Sequence, residues 1–96
     1  MTQSAECLIS TQHGSRYLQQ LAKHWAHKFD VEFDPATARI TASEGRAVIM
    51  AASESILKVT VTAPGDLALD AWREVVARHI ERFAFREELA FDWQPA

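Results

Sequence analysis

The sequence predicts an α+β domain. The expected architecture is a two-layer sandwich in the order strand, helix, three or four antiparallel strands, helix, with both helices on one face of the sheet. Three observations carry that prediction. Apolar residues recur at helical spacing in two stretches, Ser15 to Phe29 and the segment leading to Glu88. The residues between them alternate in short runs. Those runs are joined by turn-length connectors, which favour antiparallel neighbours.

Taken in order, Ala5 to Thr11 alternates, with Ala5, Cys7 and Ile9 on one side and Glu6, Leu8 and Ser10 on the other, and predicts a strand. His13, Gly14 and Ser15 break it. Ser15 is the expected N-cap of a first helix, because Leu18, Leu21, Ala22, Trp25 and Phe29 then fall on one helical face. That helix is expected to reach about Phe29. Val31 and Phe33 begin a strand that Asp34 and Pro35 must end, since proline lacks the ladder donor and restricts the residue before it. Arg39 to Ala42, Arg46 to Ala52 and Leu57 to Thr62 read as three further strands, separated by Ser43-Glu44-Gly45 and Ser53-Glu54-Ser55. Pro64-Gly65-Asp66 closes the sheet with Asp66 as N-cap, and Leu69, Trp72, Val75, Val76, His79 and Phe83 line up as the buried stripe of a second helix ending near Glu88. Phe91-Asp92-Trp93 is an apolar tail that either packs back on the body or adds an edge strand.

The 96 residues make one domain, 1–96, long enough to hide roughly two thirds of the surface of its unfolded chain. With 48% hydrophobic and 24% charged residues, the composition is that of an ordinary globular protein and shows no disordered or repetitive tract. A net charge of −3 argues against a nucleic-acid partner, which needs a basic field. No apolar run is long enough to span a membrane. The single cysteine, Cys7, cannot close an internal disulfide, so a reducing cytoplasm is the expected compartment.

The strand Arg46 to Ala52 departs from simple alternation, because Ala47, Ile49 and Ala51 point one way while Val48 and Met50 point the other. Either Val48 and Met50 are exposed residues tolerated on the outer face of a central strand, or that face is buried against a second copy in a homodimer.

Candidate site residues lie on the helices. On the first, Tyr17, His24 and Lys28 share one flank and are candidates for the rim of an anion-binding groove; the alternative is a solvated basic face, with His24 at the core edge. His24 and His27 stand at a spacing that can bind a metal only with a third ligand, and no carboxylate or cysteine lies at a familiar distance, so no metal and no cofactor are expected. On the second helix His79 is expected to be buried in the apolar stripe, followed by Arg82 and Arg86. One imidazole and two guanidinium groups suit a carboxylate, phosphate or phenolate. The competing reading pairs both arginines with Glu81, Glu87, Glu88 or Asp92. Glycine-rich phosphate loops, nucleophile elbows and paired cysteines are absent from the sequence.

At these same residues the chain resembles a bacterial family known as domain of unknown function 2218. The resemblance rests on the block Ser15-Arg16-Tyr17-Leu18 through His24-Trp25-Ala26-His27-Lys28, on His79-Ile80-Glu81-Arg82-Phe83-Ala84-Phe85-Arg86-Glu87, and on the closing Asp92-Trp93-Gln94. It covers nearly the whole chain. Members of that family occur alone and attached to, or encoded near, siderophore-interacting flavin reductases. The resemblance implies an iron-acquisition context and transfers no catalytic residue.

The function these readings favour is a non-enzymatic accessory or binding domain, with His79, Arg82 and Arg86 holding an anionic small molecule, or a siderophore-interacting reductase partner, and Tyr17, His24 and Lys28 forming the rim. Two rivals stand beside it. One is a homo-oligomer that works through its open sheet face. The other is a small enzyme using His79 as general acid or base, which requires an imidazole that substrate can reach.

Overall fold

The computed structural model describes residues 2–96. Eight elements follow one another: β1 (Gln3–Ser10), α1 (Gly14–Trp25), β2 (Asp30–Phe33), β3 (Thr37–Thr41), β4 (Ala47–Ala52), β5 (Ile56–Ala63), α2 (Asp66–Phe83) and β6 (Gln94–Pro95). The expected α+β order is present, with the strands joined in one antiparallel sheet of order β2-β3-β4-β5-β1-β6.

Turn chemistry sets the central meander. Between β2 and β3 the Asp34 carboxylate accepts the backbone N–H groups of Ala36 and Thr37, both at 2.8 Å, so the turn starts where Asp34-Pro35 predicted it. Between β3 and β4, Glu44 and Gly45 take φ values of 62° and 76°, the consecutive positive angles that a tight hairpin of the right twist needs. β1 then pairs with β5 along its full length, from Gln3 opposite Ala63 to Ser10 opposite Ile56.

Register decides which side of the sheet is buried. Ala5, Val61, Val48 and Ile40 stand in one cross-strand row, and Cys7, Val59, Met50 and Ala38 in the next; all eight are buried. The tolerated-exposure reading of β4 is therefore corrected: Val48 and Met50 are fully enclosed, and the exposed residue is Ile49 at 45%. Alternation in a strand that is apolar on both sides does not say which set faces inward; the partners across the ladder do. On the opposite face Ile49 stands between Thr60 and Arg39, and Leu8 opposite Lys58.

α1 rests on β2 to β5, α2 on β5 and β1, and the helices touch each other. Tyr17, Leu18, Leu21, Ala22 and Trp25 are buried from α1, and Leu69, Trp72, Val76, Ala77 and Ile80 from α2. At the centre the Trp25 and Trp72 rings stack at 5.4 Å, Trp72 Nε1–H donates to the Ala47 carbonyl at 2.9 Å, and the Arg46 guanidinium lies 4.8 Å over the Trp72 ring.

Both helices differ from expectation at their ends. α1 starts at Gly14, not after a Ser15 cap, and its N-cap His13 makes no side-chain cap bond. It stops at Trp25, four residues early: the N–H groups of Lys28 and Phe29 both turn back to the Trp25 carbonyl. α2 stops at Phe83, five residues before Glu88. Its end is made by Ala84, 1% exposed and drawn into the core, whose N–H is shared between the Ile80 and Glu81 carbonyls. Neither stop carries a glycine or proline, the usual written signals. Of the two expectations for Phe91-Asp92-Trp93, packing on the body holds, since Phe91 and Trp93 lie against the core, while the edge strand beside β1 is formed just beyond it by β6.

Candidate functional site

A pocket of about 930 Å³ opens where the end of β1, the start of α1, the start of β5 and the turn after α2 converge. Its polar lining includes Thr11, His13, Arg16, Tyr17, Arg86 and Glu87; Ile56, Phe83 and Phe85 supply an apolar wall. Because α2 breaks at Ala84, the chain turns there and brings Arg86 and Glu87 to the N-terminus of α1, which a continued helix would not do.

One carboxylate organises the floor. Glu87, half-buried, accepts a short hydrogen bond from the Tyr17 hydroxyl and, on the same oxygen, one from the Thr11 hydroxyl at 3.0 Å. Thr11 in turn accepts the His13 backbone N–H at 3.1 Å, fixing the chain as it enters α1. The Tyr17 phenol is pushed up to about 12, first by burial and then by the hydrogen bond and charge of Glu87, so it stays protonated as a donor at neutral pH.

The positive charge is uncommitted. Among the described residues neither Arg16 nor Arg86 makes an ion pair, and the Arg86 guanidinium rests 5.3 Å from the Phe85 ring. α1 has no acidic residue in its first turn, so the positive end of its dipole is not neutralised from within the helix. Two guanidiniums and a helix N-terminus outweigh a single carboxylate whose oxygen is already hydrogen-bonded. The pocket suits an anion that carries an apolar body.

The six residues expected to form one site do not come together: two line the pocket, two meet on the helix seam, and two stand apart from both. Tyr17 and Arg86 line the pocket, Tyr17 as part of the floor because its side chain is 4% exposed. His79 and His24 meet elsewhere, on the seam between α1 and α2. Arg82 is exposed and lines no pocket with Arg86, because the helical face that would align them ends at Phe83. Lys28 lies past the end of α1, with its ammonium 5.4 Å over the Phe29 ring. The expectation that His79 is buried is corrected: the imidazole is half-buried, and Ile80 occupies the core position. The stripe runs Leu69, Trp72, Val76, Ile80, which leaves Val75 38% exposed and puts His79 on its edge. The expected pairing of Arg82 and Arg86 with nearby acids is not found among the described residues.

Sequence reasoning missed Thr11, His13, Arg16 and Glu87. His13 and Tyr17 stand four residues apart across the helix start, a spacing that could have suggested a shared rim. Nothing local marks Thr11 or Glu87, which meet only through the fold.

The model of an uncharacterized protein family conserved in bacteria (DUF2218) matches residues 6–94. The chain belongs to that family. It is also similar to PA4090 from Pseudomonas aeruginosa, known from an NMR structure, at 32% identity over 100% of this chain and 98% of that one, with a TM-score of 0.79. No curated protein matches the chain. In this DUF2218 member the two longer of the blocks that carry the sequence resemblance meet at the pocket, one through Arg16-Tyr17 and the other through Arg86-Glu87. No helix of the described chain is long and apolar enough to cross a membrane.

Proposed function

We propose that the domain is a binding module for a small organic anion held in the pocket between α1 and the turn after α2. The observation that carries this reading is the pair Arg16 and Arg86, both lining the pocket and both without an ion-pair partner. The ligand's charged oxygens would face these guanidiniums, which can bind a carboxylate or phosphate through two parallel hydrogen bonds. Its apolar part would lie along Phe83, Phe85 and Ile56. Glu87 and Tyr17 act as the framework that sets the floor, and no catalytic step is part of the reading.

A ferric catecholate or hydroxamate, or a carboxylate-bearing chelator, is one ligand of this description. It joins the pocket to the iron-acquisition context and to a reductase that would deliver or receive the chelate. Calorimetry with ferric siderophores, the iron-free chelators and simple aryl and alkyl carboxylates tests the proposal. Saturable binding that weakens about tenfold or more in Arg16→Gln or Arg86→Gln, each the loss of a charge-assisted contact, supports it. Flat titrations throughout, or binding that both variants leave unchanged, overturn it.

A further inference from the structure

Away from the pocket, α1 and α2 bring the rings of His24 and His79 together. Their ring centroids are 5.4 Å apart, with the planes inclined at 50°. Packing holds both rings in place: His79 lies 5.0 Å from the Trp25 ring, which is stacked on Trp72, and His24 meets the Phe83 ring at 6.1 Å. The Nδ1–H of His79 donates to the Val75 carbonyl at 2.7 Å. That bond occupies one ring nitrogen and leaves Nε2 as the one carrying a free lone pair. Neither imidazole is sealed from water, His24 being exposed and His79 half-buried.

We propose that His24 and His79 form a two-imidazole chelate for a late first-row divalent cation, Cu²⁺, Ni²⁺ or Zn²⁺, bridging the two helices. The separation fits. A metal–nitrogen distance of about 2.0–2.1 Å puts each ring centre roughly 3.2 Å from the ion, and two such ligands at a tetrahedral angle bring the centres to about 5.2 Å. An imidazole whose second N–H is held by a backbone carbonyl is the orientation that metal-ligating histidines adopt. Imidazole suits these ions better than hard oxygen-seeking cations. Of the cations near these histidines in sequence, Arg78 contacts Glu74 at 3.6 Å and Lys28 lies over the Phe29 ring, while Lys23 and Arg82 are exposed and make no ion pair among the described residues. The described residues hold no group of three or more metal-ligating side chains, so the ion keeps open positions for water or for an oxygen ligand. His27, which the sequence set beside His24, falls in the turn after α1, while the fold supplies His79 from the other helix.

The test uses the full chain without an affinity tag and the chlorides of Cu²⁺, Ni²⁺ and Zn²⁺ as probes. Calorimetry is expected to give one ion per chain, with Cu²⁺ bound more tightly than Ni²⁺ or Zn²⁺. Thermal unfolding should move to higher temperature with added ion, because the chelate exists only when the two helices are docked. His24→Ala and His79→Gln should each weaken binding by about tenfold or more and remove the thermal shift, whereas His27→Ala, in the turn after α1, should change neither. Absence of a saturable isotherm overturns the proposal, as does binding that survives in His24→Ala or disappears in His27→Ala. His24 is exposed, so its substitution keeps the test decisive even if His79→Gln disturbs packing.

Discussion

The hydroxyl of Tyr17 donates to the carboxylate of Glu87, which lies 70 residues further along the chain. Thr11 donates to the same oxygen. One side chain of the segment after α2 thus fastens that segment both to the first turns of α1 and to the end of β1. Arg86, adjacent to Glu87, is carried into the pocket by the same clasp.

Removing the clasp should destabilise the fold measurably. A hydrogen bond to a charged group is worth about 1.5–3 kcal/mol, and Tyr17 is buried. Tyr17→Phe, which keeps the ring and deletes the donor, is expected to lower the unfolding free energy by about that amount in urea. Glu87→Ala should cost no less, because it strands the Tyr17 hydroxyl. The double variant should be milder than the sum of the two, with a coupling of about 1 kcal/mol or more. A Tyr17→Phe loss below about 0.5 kcal/mol would show that the bond contributes no net stability.

The same contact predicts how the protein behaves in alkali. Tyr17 is the chain's single tyrosine, so phenolate absorbance follows it alone. Its folded value near 12 lies above the ordinary 10.0, mainly through burial and then through Glu87. The folded state therefore keeps a proton that the unfolded state releases. The stability this provides is complete below pH 10 and is lost as pH rises through 10 to 12. Cys7, raised from 9.0 to about 12, adds a loss of the same sign beginning one unit lower. In a Cys7→Ala background the unfolding free energy should stay level to pH 10 and then fall. Glu87→Gln should bring the absorbance midpoint down without returning it to 10, because burial remains.

Cys7 also provides a probe of opening. It is 1% exposed, and burial first, then the charges of Asp92 and Glu6, push its thiol up to about 12. Since thiolate is the reactive form, a disulfide reagent at pH 8 should leave the native protein unmodified apart from the slow fraction that opens, and react at once in denaturant. Rapid native labelling would mean that the packing over the buried face of β1 opens readily.

Much of this fold was readable in the residues, for physical reasons that also explain the failures. The strands stood out because alternation and turn residues such as Asp34 and Gly45 are local signals. The helix ends did not, because Trp25 and Ala84 end their helices by backbone bonds and burial rather than by glycine or proline. The inward side of β4 depended on its partners Val59 and Val61. The helical spacing of His79 from Trp72, Val76 and Phe83 predicts a core position, yet Ile80 satisfies the same periodicity and wins it. For the candidate pocket, Tyr17 and Arg86 were identified and Arg16 and Glu87 were not, since a break in α2 that the sequence does not announce is what assembles them.

Gly14 tests how closely α1 is pressed onto the sheet beneath the pocket. A Cβ placed there would lie 3.1 Å from Leu57 Cβ and 3.2 Å from Ala52 Cβ. Both are the first side-chain atoms on strand backbones and cannot rotate away. Two effects therefore oppose each other in Gly14→Ala. Alanine restricts the unfolded chain and favours a helix by up to about 1 kcal/mol. Overpacking against a fixed surface costs typically about 1–3 kcal/mol. The second should prevail, since relief requires the start of α1 to lift from β4 and β5 together, and the variant is expected to be less stable by about 1 kcal/mol in urea. Lifting the start of α1 would also move His13 and Arg16, so anion binding in the pocket should weaken alongside stability. A Gly14→Ala protein more stable than the parent would show that the sheet yields at Leu57 and Ala52 and that the close approach is not needed.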